Sequence, residues 1–169
     1  MALERAAVRW NIALREIGSV RRGQGVFDHL DITLAQPLAW MNQNGPVVQA
    51  LVSELRLTRH DLIVIHDDVD LPVGRLRIKR SGGSGGHNGI RSVQAALGSQ
   101  EFCRLKIGVG RPAPGEETAD YVLSSFRKDE HDIVEHALNH AVLALESCLS
   151  EGVEKAMNHF NVRDEQGAK

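Results

Sequence analysis

The stretch that most constrains how this chain can fold is residues 61–91, DLIVIHDDVDLPVGRLRIKRSGGSGGHNGIR. It opens with Leu62-Ile63-Val64-Ile65, an apolar run of the kind found in a strand buried on both faces. The run ends in Asp67, Asp68 and Asp70. An alternating strand follows, with Arg75, Arg77 and Lys79 on one face and Leu76 and Ile78 on the other. A glycine loop, Gly82-Gly83-Ser84-Gly85-Gly86, then leads through His87, Asn88 and Gly89 into a helix. Carboxylates at the end of a strand, with a glycine loop that opens a helix, place a candidate site at the carboxyl end of a sheet.

The remaining segments supply the frame. Leu3, Ala6, Ala7, Trp10, Leu14 and Ile17 recur at helical spacing, which predicts a helix over 2–17 with no capping residue ahead of it. Residues 25–36 read as a short hairpin or two strands around Asp28 to Asp31, the second ended by Pro37. A loop at 40–46 becomes a helix with Pro46 in its first position and Val47, Val48, Leu51, Val52 and Leu55 inward. Ile90, Val93, Ala96 and Leu97 form the inner face of the helix after Asn88, and Gly98 is placed to cap it. A strand over 103–109 alternates Leu105, Ile107 and Val109 with Arg104, Lys106 and Gly108. Helices are expected at 117–125, 129–149 and 153–160. Strands alternating with helices predict an α/β fold: one domain over 1–169, with a twisted, mixed, mostly parallel sheet and helices on both faces.

Composition narrows the class. Hydrophobic residues make up 42% and charged residues 25%, as in a globular domain, and no apolar run approaches the roughly 20 residues of a membrane span. Cys103 and Cys148 lie far apart without a metal-binding spacing and read as buried thiols in a reducing cytoplasm. Basic residues dominate residues 1–111 and acidic residues dominate the rest, which suggests one face for a polyanion.

Several chemistries fit the central stretch. The glycine loop lacks the Gly-Lys-Ser/Thr ending of a triphosphate loop, and it follows a basic amphipathic strand rather than opening a dinucleotide-binding unit. It does lead to a helix N-terminus whose backbone N–H groups can receive an oxyanion or phosphate. His66, Asp67, Asp68 and Asp70 can be turn residues, can ligate a metal together with His87, or can include a carboxylate that orients a histidine base. His131, His136 and His140 share one helix, where a solvated face outweighs a metal pair.

Four segments carry a family resemblance. They are Pro37-Leu38-Ala39-Trp40-Met41-Asn42 with Gly45; Ile65-His66-Asp67-Asp68-Val69-Asp70-Leu71-Pro72 with Gly74; Gly82 through Gly89; and Arg104 through Pro112. In order and spacing the chain resembles the bacterial-type peptidyl-tRNA hydrolases. The resemblance implies hydrolysis of the ester joining a peptide to tRNA, with neither a metal nor an organic cofactor. It implies a cytoplasmic monomer that meets the acceptor stem of tRNA and no membrane. Asp67 matches the carboxylate that orients the catalytic histidine, and Asn42 and Asn88 match the cleft asparagines. Trp40 stands where the family more often has Phe or Tyr, and His87 matches a histidine beside the cleft. Arg75, Arg77, Lys79 and Arg91 are expected to face phosphates. The family's first strand, its Gly-Asn-Pro-Gly loop and its Thr-Arg-His-Asn segment, which holds the catalytic histidine, have no match here. The resemblance thus implies an N-terminally incomplete sequence, a start assigned to an internal methionine, and impaired turnover. The alternative it leaves is a non-catalytic RNA-binding relative.

Overall fold

A computed structural model describes residues 1–162. Two compact units emerge, Met1–Val64 with Arg80–Arg104, and Ile65–Lys79 with the chain from Leu105 onward.

The first unit begins with α1 (Ala2–Arg9), half the length that periodicity predicts. Asn11 explains the stop. It adopts a left-handed φ of 54°, and the N–H of Ile12 turns back onto the carbonyl of Ala7. Asn tolerates this conformation better than most residues, and a helix that meets it ends there. Leu14 and Ile17 fit the helical spacing by coincidence; residues 15–17 form β1 (Arg15–Ile17). β1 pairs with β2 (Val20–Phe27), and β2 with β3 (Leu30–Pro37), in an antiparallel meander. Asp28 and His29, both at positive φ, form the two-residue turn that sets Phe27 opposite Leu30. The expected hairpin is therefore present, with longer arms.

α2 (Asn44–Glu54) starts two residues before Pro46, which falls inside its first turn. α3 (Asn88–Leu97) ends at Gly98, whose φ of 61° makes it the expected left-handed cap. Ile90, Val93 and Phe102 form a buried cluster, with Val48, Leu62, Val64 and Leu97 packed against it.

The second sheet has the order β4-β6-β5, from β4 (Ile63–Asp68), β5 (Leu76–Lys79) and β6 (Cys103–Gly108). The expected α/β class with a mixed sheet is present, but the strands are shared between two three-stranded sheets rather than gathered in one. Order explains the burial. β4 stands at an edge and is half-buried along its whole length, so it is not the strand covered on both faces. β6 is central, and Cys103, Arg104 and Leu105 are buried in succession. β5 keeps the expected alternation, with Leu76 and Ile78 buried and Arg77 exposed.

In the second unit, α4 (Thr118–Leu123) precedes α5 (His131–Ser150) and α6 (Val153–Phe160). α5 buries Val134, Ala137, Leu138, Ala141, Val142 and Leu145. Just beyond α6, the amide of Asn161 accepts from the N–H of Ile78 at 2.7 Å and donates to its carbonyl at 2.9 Å. That pairs the outer edge of β5, which would otherwise present unpaired backbone groups. Both cysteines are buried thiols, and no described helix is long and apolar enough to cross a membrane.

Candidate active site

In the first unit the site is built by close approach. Trp40 leads into a single 3-10 turn, Met41–Gln43, and α2 follows at once. The N–H of Gly45 donates to the Ser92 hydroxyl on α3 at 2.9 Å. A Cβ at position 45 would lie 2.1 Å from the Ser92 carbonyl oxygen, so only glycine lets α2 reach α3 here. A Cβ at Gly89 would lie 2.8 Å from Met41 Cγ. These two glycines seat the 40–45 segment against the start of α3.

The result is an open cleft of about 740 Å³ lined by Asn42, Pro46, Val47, Asn88, Arg91 and Ser92, among others. Asn42 and Asn88, placed together on the strength of the resemblance, thus share one cleft. The Asn88 Oδ1 accepts a hydrogen bond from Arg91. Its NH₂ end is thereby left as the donor. Arg91 itself lines the cleft. Trp40 is 78% exposed, and it is not among the cleft-lining residues.

His87 caps α3. Its Nδ1 accepts from the N–H of Ile90 at 3.1 Å, which fixes the proton on Nε2. The glycine loop is anchored from inside its own unit. Arg104 donates to the carbonyls of Gly82 and Gly83, and Gln94 also donates to that of Gly82. The alternating pattern of β6 assigns Arg104 to a polar face; it is instead fully buried, because a central strand has no wet face. Burial pulls its pKa below the usual arginine value, against a smaller upward push from Cys103.

In the second unit the acids stand at the end of β4. Asp67 and Asp68 belong to the strand itself, not to a loop. The Asp68 carboxylate pairs with Lys106, both side chains being nearly buried at 10% and 13% exposure. Burial pushes the Asp68 carboxyl up. The hydrogen bond from Lys106, the N–H of Asp70 and the charges of Lys106 and His66 outweigh it and hold the carboxyl below its usual 3.8. Asp68 is thus spent on Lys106, which takes it out of the set His66, Asp67, Asp68 and His87 weighed as metal ligands. Among the described residues no group of three or more His, Cys, Asp or Glu side chains could hold a metal. The His66 Nδ1–H donates to the Asp67 carbonyl at 2.6 Å, and exposed Asp70 pairs with Arg111 at 2.9 Å.

The residues of the basic strand differ in their contacts. Arg75 donates to the carbonyls of Asn161 and Val162 at 3.0 and 2.7 Å, so it secures the end of α6. Arg77 is exposed and Lys79 half-buried. On α5, the His136 ring lies 5.8 Å from that of His140, which packs against Phe160 at 5.0 Å with the rings tilted by 54°. Sequence reasoning missed Arg104, Lys106 and Ser92 as supports of these groups. The one available signal was a pair of cations inside an otherwise apolar strand.

Comparison with known proteins places this arrangement. The family described as peptidyl-tRNA hydrolase matches residues 1–168. The peptidyl-tRNA hydrolase of Synechococcus sp. (strain JA-3-3Ab) is 40% identical over 169 residues, which cover 99% of this chain and 75% of that one. That of Bacillus subtilis (strain 168) is 39% identical over 164 residues, covering 96% and 87%. The crystal structure of peptidyl-tRNA hydrolase from Acinetobacter baumannii superposes with a TM-score of 0.89 at 28% identity, covering 95% of this chain and 83% of that one. Nothing in these matches supports the expectation of impaired turnover. On sequence and fold together, this chain belongs to the peptidyl-tRNA hydrolase family and is an ester hydrolase acting on peptidyl-tRNA.

Proposed function

We propose that the ester is cleaved by water with Asn42, Asn88 and Asp67 in distinct roles. Asp67 orients an imidazole base in the tautomer that accepts a proton from water and stabilises the imidazolium that results. The activated water adds to the ester carbonyl, and the Asn88 NH₂, left as the donor by the Arg91 bond to Oδ1, donates to the developing oxyanion. Asn42 holds the peptide portion along the same cleft. Collapse breaks the acyl–oxygen bond, and the proton returns to the tRNA hydroxyl that leaves. The peptide leaves with a carboxyl group, so the atoms of one water are accounted for.

Arg77 and Lys79 supply positive charge for the phosphates of the acceptor stem, and Trp40 offers an exposed ring for stacking on a terminal base. His87 is positional, holding the start of α3. Reduced, buried cysteines accord with work in the cytoplasm, and we take the enzyme to act as a monomer.

The observation that carries this reading is the shared cleft of Asn42 and Asn88 with Arg91 on the Asn88 oxygen. Asn88→Asp keeps the shape and the Arg91 contact but removes the donor. We expect kcat on peptidyl-tRNA to fall by about 10²–10³ with KM little changed. A change in KM alone would assign Asn88 to binding and leave the oxyanion to other groups.

A further inference from the structure

Arg104 is an expensive residue to place where it is. Its side chain has 0% exposure, its Nε has no hydrogen-bond partner, and among the described residues no carboxylate pairs with it. An uncompensated buried charge is a poor stabilising device, since an apolar side chain of similar volume generally does better. What a guanidinium supplies, and an apolar group does not, is a planar fork of donors. The fork is used. Nη2 donates to the Gly82 carbonyl at 2.7 Å and Nη1 to the Gly83 carbonyl at 2.8 Å, with the guanidinium 5.5 Å from the centre of the Phe102 ring.

From there the connection is continuous to α3. The Gly82 carbonyl also accepts from Gln94 of α3 at 2.7 Å. The Ser84 carbonyl accepts from the N–H of His87, and His87 in turn accepts from the N–H of Ile90. Asn88 lies inside that last turn. The intervening loop is rich in glycine, with Gly82, Gly85 and Gly86 at positive φ, so without an anchor its backbone has many alternatives.

We propose that Arg104 is a positioning residue for ester cleavage, its forked guanidinium fixing the Gly82 and Gly83 carbonyls and, through the 84–90 turn, the orientation of the Asn88 amide. This rests on the role given to Asn88 above.

A double-mutant cycle on the whole protein tests it, with single-turnover kinetics on peptidyl-tRNA and a thermal melt of each variant. Arg104→Lys keeps the charge and loses the fork. We expect it to fold, to lower the cleavage rate about tenfold and to leave KM within about twofold. In an Asn88→Ala background the same change should cost less than about twofold, because its target is already gone. Where Arg104→Lys does not fold, Gln94→Leu removes the other donor to Gly82 and carries the test, with about a threefold loss that also vanishes in that background. Losses that multiply independently overturn the proposal, and so does a lowered melting temperature with an unchanged cleavage rate. If Asn88→Ala itself leaves cleavage unchanged, the reading of Asn88 fails and the proposal falls with it. If Asn88→Ala is slow but both supporting variants are normal, only the proposal fails.

Discussion

Arg104 and Lys106 stand two residues apart on β6, both withdrawn from water, and the chain provides for them in opposite ways. Arg104, in the first unit, is held by neutral carbonyls of a glycine loop. Lys106, in the second, is held by the Asp68 carboxylate at the end of β4. The contrast extends to the surroundings. The first unit places uncharged amides by steric fit and by hydrogen bonds onto neutral acceptors, with Gly45 against Ser92 and Arg91 on the Asn88 oxygen. The second places its strand ends by charge. A fork on carbonyls sets geometry and is indifferent to acid; an ion pair is stronger but depends on pH.

The largest expected effect breaks the charged half. Lys106→Met leaves the Asp68 carboxylate buried without a counter-charge and should cost about 3–5 kcal/mol in urea unfolding. Adding Asp68→Asn should recover most of it. A loss under about 1 kcal/mol would mean that the pair is screened like a surface one. The same pair predicts a pH signature. Because the folded Asp68 carboxyl sits below 3.8, its contribution is fully present above that value and is lost as pH falls through the lower folded value. The stability difference between wild type and Asp68→Asn should therefore shrink only below about pH 4, whereas a difference that widens there would reverse the sign of the shift.

Next comes the steric half. Gly45→Ala should destabilise by about 3 kcal/mol, because the new methyl meets a backbone carbonyl rather than a flexible side chain. A neutral result in a thermal melt would show that α2 can slide along α3 at no cost. A smaller effect separates two arginines that look alike in the sequence. Arg75→Ala should cost about 1–2 kcal/mol through its two carbonyl partners and change tRNA affinity little. Arg77→Ala should leave stability within about 0.5 kcal/mol and reduce the salt slope of tRNA binding by about 1. Reversed assignments would move the phosphate contact to Arg75.

How far the sequence could be read follows the same division. α3 with its glycine cap and the alternating β5 were legible because period and turn chemistry agree there. α1 was over-extended because periodicity cannot detect the left-handed Asn11 that ends it. Arg104 was assigned to a polar face because alternation presumes one wet side, and β6 has none. The Lys106–Asp68 pair joins positions 38 residues apart in sequence, beyond any local pattern. The asparagines were picked out by family resemblance alone. The physical reason they meet, two glycines that let α2 and the 40–45 turn close on α3, became visible only in the packing.

The most direct test of the account is single-turnover cleavage of peptidyl-tRNA by Asp67→Asn beside the wild type, with affinity for the same substrate measured on both. The account predicts cleavage slowed by about 10²–10⁴ and affinity within about threefold, as expected when a base loses the carboxylate that orients it. Unchanged cleavage with weakened affinity would contradict it and make Asp67 a binding residue.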